Sequence, residues 1–272
     1  MNSAITPLSI AQPNTLDEAL VLLQQGSFTP IAGATDLYVG LNFGTLRATR
    51  FVDITRLEEL HGIHELGDGL RIGAGTTYTE LMRSSLVKRR WPILAAASSQ
   101  VGGVQIQNRG TLGGNIANGS PAGDSLPVLA VADAMLVLRS ATTERRVPFT
   151  EFYTGYRASV LREEELIVAV ELPAVAGKQW YRKVGTRAAQ AISKLVMAAV
   201  RGEQTRIAIG SVAATTIRLP QTEAAFAAGA SIDDAVNVLE SEITPIDDIR
   251  STADYRRKVA ANLLRRFWSD TE

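Results

Sequence analysis

Apolar positions early in the chain recur first with helical spacing and then as short continuous runs. Leu16, Ala19, Leu20, Leu22 and Leu23 follow Thr15, whose hydroxyl suits an N-cap, and Gly26 ends the run, so the spacing predicts a helix between them. Pro30-Ile31-Ala32 then begins a buried strand that ends at Gly33, and Phe51 to Ile54 forms a second short apolar run. Ile63 to Leu66, the turn Gly67-Asp68-Gly69, and Leu70 to Ile72 read as a hairpin. Thr77-Tyr78-Thr79-Glu80 fits a capping box opening a helix.

Between 102 and 124 the periodicity stops. Glycines alternate there with Asn, Ser, Thr and Pro, and the segment reads as a long binding loop, because loops of this length are usually functional. Beyond it the pattern predicts a helix over Leu126–Asp133, a strand over Met135–Leu138, and a strand over Leu166–Leu172 closed by Pro173. Pro173 to Lys178 is the expected domain boundary. Strands near Trp180–Val184, Leu195–Val200 and Arg206–Ala213 follow, then helices near Gln221–Ala228, Ile232–Glu242 and Thr252–Trp268. Strands followed by helices predict an α+β C-terminal domain.

A length of 272 residues fits about two domains at roughly 150 residues each. Lys plus Arg and Asp plus Glu are both 28, so no charge excess exists to collect phosphate backbones or anionic lipid. The absence of cysteine excludes disulfides, thiolate zinc sites, cysteine-ligated iron–sulfur clusters and a Cys nucleophile. The two histidines, His61 and His64, fall near the predicted hairpin and are expected at the surface, which leaves no metal site. No apolar run approaches the roughly 20 residues of a membrane span, and no signal pattern opens the chain, so a soluble, cytoplasmic protein is expected.

Two segments carry candidate chemistry. Pro30-Ile31-Ala32-Gly33-Ala34-Thr35-Asp36 is a strand end turning into a helix, where small residues let an anion approach backbone N–H groups. An ordinary strand-to-helix turn is the alternative. The second segment runs from Arg109 and Gly110 through Thr111, Gly113, Gly114, Asn115, Asn118 and Ser120 to Asp124. Gly113-Gly114 suits backbone contact with a diphosphate, the neutral side chains supply donors, and Asp124 suits sugar-type hydroxyls. Neither segment is a dinucleotide fingerprint or a P-loop: Gly73-Ala74-Gly75-Thr76-Thr77-Tyr78 lacks the third glycine, and no Gly-Lys-Ser/Thr occurs.

Together and in this order, Ala32-Gly33-Ala34-Thr35-Asp36-Leu37 and Thr111-Leu112-Gly113-Gly114-Asn115 followed by Ser120-Pro121-Ala122-Gly123-Asp124 resemble the flavin-binding medium subunit of the molybdenum hydroxylases, the xanthine dehydrogenase and carbon monoxide dehydrogenase family. Phe152 to Arg157 with Glu165-Leu166-Ile167, and Tyr181 to Arg187 with Ile192-Ser193-Lys194, extend the likeness and look closest to the xanthine dehydrogenase branch. The resemblance implies an α+β fold: a two-subdomain FAD-binding domain of the vanillyl-alcohol oxidase type over 1–174 (subdomains 1–55 and 56–174), then a small domain over 175–272 of the type found in the carbon monoxide dehydrogenase flavoprotein.

It further implies that Ala32 to Asp36 and Gly113-Gly114 hold the FAD diphosphate, and that Pro30, Ile31, Gly110, Asn115, Asp124, Ile167 and Lys183 contact the cofactor, beside the donors Thr111 and Ser120 read from the residues themselves. Lys183 would place a cation at the pyrimidine edge of the ring, and Arg157 would act in the same way or form a structural ion pair. No residue is nominated as a catalytic proton donor. By the same resemblance a molybdenum cofactor sits on a large partner subunit, [2Fe–2S] clusters sit on a small one, and NAD+ or another acceptor takes the electrons. The lack of cysteine agrees with a chain that carries only flavin, and departs from relatives whose flavin subunit holds a [4Fe–4S] cluster. A free-standing FAD-dependent oxidoreductase of the same superfamily and a flavin-free assembly scaffold are the alternatives.

Overall fold

The computed structural model describes residues 8–272. It begins with β1 (Ser9–Ala11), α1 (Leu16–Gln24), β2 (Thr29–Ile31), α2 (Leu37–Asn42) and β3 (Arg50–Asp53). The strands form a parallel sheet in the order β1-β3-β2. The helix expected after Thr15 is α1: the Thr15 hydroxyl accepts the Glu18 N–H at 3.2 Å, and Leu16, Ala19, Leu20 and Leu23 are buried. Gly26 turns the chain at φ 75°, as the end signal predicted.

The next unit comprises β4 (Ile63–Leu66), β5 (Gly69–Gly73), α3 (Tyr78–Arg83), α4 (Ser85–Arg90), α5 (Pro92–Ser99), α6 (Val104–Gln107), α7 (Leu112–Asn118), α8 (Leu126–Val131), β6 (Met135–Arg139), β7 (Glu144–Pro148), α9 (Phe149–Phe152), β8 (Tyr153–Gly155), β9 (Ala158–Ser159) and β10 (Leu166–Leu172). Its main sheet is antiparallel in the order β4-β5-β10-β6-β7, so the last strand is central. A central strand must be apolar on both faces. Leu166, Val168 and Ala169 face the core built on α1, whereas Ile167, Val170 and Leu172 face the core under the helices. A register shift against β6 between Ile167 and Ala169 accounts for Val168 and Ala169 pointing the same way.

The third unit is β11 (Lys178–Val184), β12 (Leu195–Arg201), β13 (Arg206–Gly210), β14 (Ile217–Arg218), α10 (Pro220–Ala227), α11 (Ile232–Glu242) and α12 (Ala253–Asp270), with the strands antiparallel in chain order. Strand β12 reads as an unbroken apolar run because it too has two covered faces. Leu195, Met197 and Ala199 pack under the C-terminal helices, while Ala198 and Val200 join the core of the preceding unit beside α8.

The main departure from the sequence reading lies in 102–124. Instead of one loop it contains α6 and α7, and the latter has ordinary end signals hidden among the glycines. The Thr111 hydroxyl accepts the Gly114 N–H at 3.1 Å as N-cap, and Gly119 stops the helix at φ 61°.

Candidate functional site

A cleft of about 1030 Å³ separates the parallel sheet from the antiparallel unit, and residues of both line it. Its first wall is the loop after β2, at the carboxyl end of a parallel strand, where open parallel sheets place their ligands. Ala34 sits there in the left-handed region at φ 61°. The N–H groups of Gly33, Ala34, Thr35 and Asp36 donate to no acceptor among the described residues. Four successive free donors make a cradle for an anion.

The second wall is the start of α7. A Cβ on Gly113 would lie 2.6 Å from the Ala74 Cβ, so this glycine permits α7 to lie on the segment after β5. A Cβ on Gly114 would meet only the Thr111 hydroxyl, at 2.8 Å, and otherwise project into the cleft, where Gly114 is exposed. The donors here are spent: Leu112 N–H goes to Thr76 O, Gly113 N–H to Ala74 O at 2.8 Å, and Gly114 N–H to the Thr111 cap. The expectation that Gly113-Gly114 donates to a diphosphate is therefore corrected. These glycines supply room, and the 33–36 loop supplies donors. The two walls also touch each other, since a Cβ on Gly33 would run into the Arg109 carbonyl oxygen.

Of the expected cofactor contacts, Pro30, Ala32, Gly33, Ala34, Thr35, Asp36, Gly110, Thr111, Gly113, Gly114, Asn115 and Ile167 line this cleft. Five do not. Ile31 ends β2 outside the lining, and the Ser120 hydroxyl accepts the Ala122 N–H at 3.3 Å. Arg157 is exposed in the turn between β8 and β9 at φ 52°, in no ion pair among the described residues.

Asp124 and Lys183 are the remaining two, and they find each other. Lys183 Nζ donates to Asp124 Oδ2 at 2.8 Å and to Gln100 O at 2.8 Å, and Ser193 Oγ donates to Asp124 Oδ1 at 2.6 Å. The two side chains are 9% and 6% exposed. Burial pushes the Asp124 carboxyl above the ordinary carboxylate range, against the pull of the ammonium and the two hydrogen bonds. With both oxygens occupied, Asp124 is a buried link between α7's trailing segment and β11 instead of an acceptor for sugar hydroxyls, and Lys183 is its counterion instead of a free cation.

Several cleft residues escaped the sequence reading. His61, expected at the surface, lines the cleft, with Nε2 3.1 Å from Thr55 O. The segment Ala74 to Tyr78, set aside for lacking a fingerprint, forms part of the wall. Arg47 and Arg109 also line it, and neither is in an ion pair among the described residues. Arg109 heads the second candidate segment of the sequence, whereas nothing in the spacing marked Arg47. Glu165 is held there by Arg145, whose Nε and Nη2 donate to its two oxygens at 2.7 and 2.8 Å. That guanidinium keeps the Glu165 carboxyl below the ordinary glutamate value.

Free donors at a strand end, two unpaired guanidinium groups, and a helix start with no side chain in the way fit an extended dinucleotide with a central diphosphate. The fold and site thus define a candidate dinucleotide-binding protein built from a parallel and an antiparallel unit. Residues 6–175 match the family described as the FAD binding domain in molybdopterin dehydrogenase, and residues 179–271 match the CO dehydrogenase flavoprotein C-terminal domain. The chain is 33% identical to the carbon monoxide dehydrogenase medium chain of Hydrogenophaga pseudoflava, over 93% of each chain. It is 32% identical to the xanthine dehydrogenase FAD-binding subunit of Escherichia coli O157:H7, over 94% of this chain and 93% of that one. The solved carbon monoxide dehydrogenase of Hydrogenophaga pseudoflava that lacks the Mo-pyranopterin moiety superimposes with a TM-score of 0.89 at 30% identity, over 95% of each chain. The chain belongs to the FAD-binding medium subunits of the molybdenum hydroxylases.

Proposed function

We propose that this chain is the electron-transfer subunit of a cytoplasmic heterotrimeric molybdenum hydroxylase of the xanthine dehydrogenase type. Electrons enter from [2Fe–2S] clusters of a small partner subunit, which are fed by a molybdenum cofactor on a large one, and leave to NAD+ or another acceptor. The observation that carries the reading is the meeting of two glycine-bearing walls across one cleft, one offering four free N–H donors and the other offering space.

Bound FAD supplies the redox chemistry, so the residues here need only bind and orient it. The N–H groups from Gly33 to Asp36 would receive the diphosphate, Arg47 and Arg109 would offset its charge, and Gly114 would leave its oxygens unobstructed. Among the described residues no group of His, Asp and Glu is placed to hold a metal. With no cysteine, the chain cannot hold a cysteine-ligated iron–sulfur cluster of its own, which fits electron entry from another chain. The hydroxylated substrate binds on the large partner, and relatives named for carbon monoxide and for xanthine match this chain almost equally well.

The test is to load the protein with FAD, reduce it anaerobically, and mix it rapidly with NAD+ or with oxygen. Oxidation by NAD+ with formation of NADH is expected. A protein that stays reduced against both would overturn the electron-transfer reading.

A further inference from the structure

Ser125 stands at the N-cap of α8, where a serine hydroxyl ordinarily accepts a helix N–H. This one caps nothing. Its own backbone is helical at φ −82° and ψ −19°, its carbonyl takes the Val128 and Leu129 N–H groups at 3.1 and 3.2 Å, and Pro127 has no N–H to offer. The hydroxyl donates instead to Asn115 Oδ1 at 2.8 Å, back on α7. Ser125 is fully buried and outside the lining of the cleft, whereas Asn115 is half-buried and lines it.

This bond decides which end of the Asn115 amide faces the cleft. The two ends share a shape and differ in character, since the oxygen accepts and the NH2 group donates. With Oδ1 held by Ser125, Nδ2 donates to no acceptor among the described residues and is the end open to a ligand. The direction is set from behind. The buried Tyr78 hydroxyl lies beside Ser125 with a proton and no partner of its own, and a serine oxygen that takes that proton passes its own to Asn115 Oδ1. The turn that carries Ser125 is clamped by the third unit. Ser211 N–H donates to Pro121 O at 2.8 Å, a Cβ on Gly210 would lie 2.8 Å from the same oxygen, and Asp124 is fixed by Lys183 and Ser193.

We propose that Ser125 is a positioning residue of the cofactor site: it turns the Asn115 amide so that its N–H groups face the cleft, and acts only through that amide. The inference rests on the FAD reading above. It gives a side-chain donor to a wall whose backbone donors from Leu112 to Gly114 are spent within the fold. A carbonyl oxygen turned the other way would face the anionic diphosphate and repel it.

The test is titration of the full-length apoprotein with FAD across a double-variant cycle, with the melting temperature of each apoprotein as the companion measurement. Ser125→Ala and Asn115→Ala should each weaken FAD binding about fivefold to tenfold, the loss of one neutral hydrogen bond, and the two together no more than Asn115→Ala alone. Ser125→Thr keeps the hydroxyl and should bind FAD within about threefold of the parent, while its extra methyl in a fully buried position lowers the melting temperature. Affinity should thus follow the hydroxyl and not the stability. An unchanged affinity in Ser125→Ala, the same loss from Ser125→Ala with and without the Asn115 amide, or a folded Ser125→Thr protein that binds like Ser125→Ala would overturn the positioning role and leave the FAD reading standing. A folded parent that takes up no FAD would overturn that reading and the role of Ser125 with it.

Discussion

Gly33, Gly113 and Gly114 lack the same atom for three different reasons. At Gly33 and Gly113 the missing Cβ lets backbone or Ala74 lie close, whereas at Gly114 it leaves the cleft open. Gly114→Val should therefore lose bound FAD while still folding, at a cost of about 1 kcal/mol because its Cβ meets the capping Thr111 hydroxyl, as read from absorbance and thermal unfolding. Gly33→Ala should instead lower stability by roughly 1–3 kcal/mol, because the Arg109 carbonyl has to move. Sequence alone grouped these glycines as one cofactor signature, since composition does not say which neighbour a Cβ would meet. The same limit applies to Asp124 and Lys183, 59 positions apart, which only the fold pairs. Asp124→Asn should cost about 3–5 kcal/mol by leaving a buried ammonium without its counterion, and Lys183→Met in the same chain should restore most of it. A double variant as unstable as Asp124→Asn would show that Asp124 acts through other partners.

At the level of elements, the strands and long helices were legible because their signals are local. Strand β10 occupies Leu166–Leu172 and helix α11 occupies Ile232–Glu242, as the pattern predicted. Helices α6 and α7 were not legible, because four to seven residues give too few turns to show a period and the glycines that end α7 resemble loop glycines. Strand β7, Glu144–Pro148, was missed because an edge strand carrying Glu144, Arg145 and Arg146 lacks an apolar face. One of those charges has a structural use. Arg145 joins β7 to the start of β10 through Glu165, whose carboxyl sits below the ordinary glutamate value of 4.5. A depressed carboxyl contributes stability that is fully present above the unfolded value and is lost as pH falls through the folded one. Denaturant midpoints should thus decline as pH drops below about 4.5, and Glu165→Gln should flatten that decline relative to the parent.

Across the whole molecule, the expected division near Pro173 marks a change of topology more than a break in packing. Ala198, Val200 and Ala208 of the C-terminal sheet belong to the same core as α8, whose six residues are all buried. Arg218 fastens the junction by donating to Ala130 O and pairing with Asp133. A chain cut after residue 174 would expose that face of α8, and it should aggregate instead of yielding a soluble flavin-binding fragment, as size-exclusion chromatography would show. The cleft between the first two units is the place for FAD. The most direct test is the visible spectrum of the purified full-length protein, with the chromophore identified after denaturation and the apoprotein titrated with FAD. A flavin spectrum, release of FAD close to one per chain, and stoichiometric rebinding are expected. A colourless, folded protein that takes up no added FAD would contradict it.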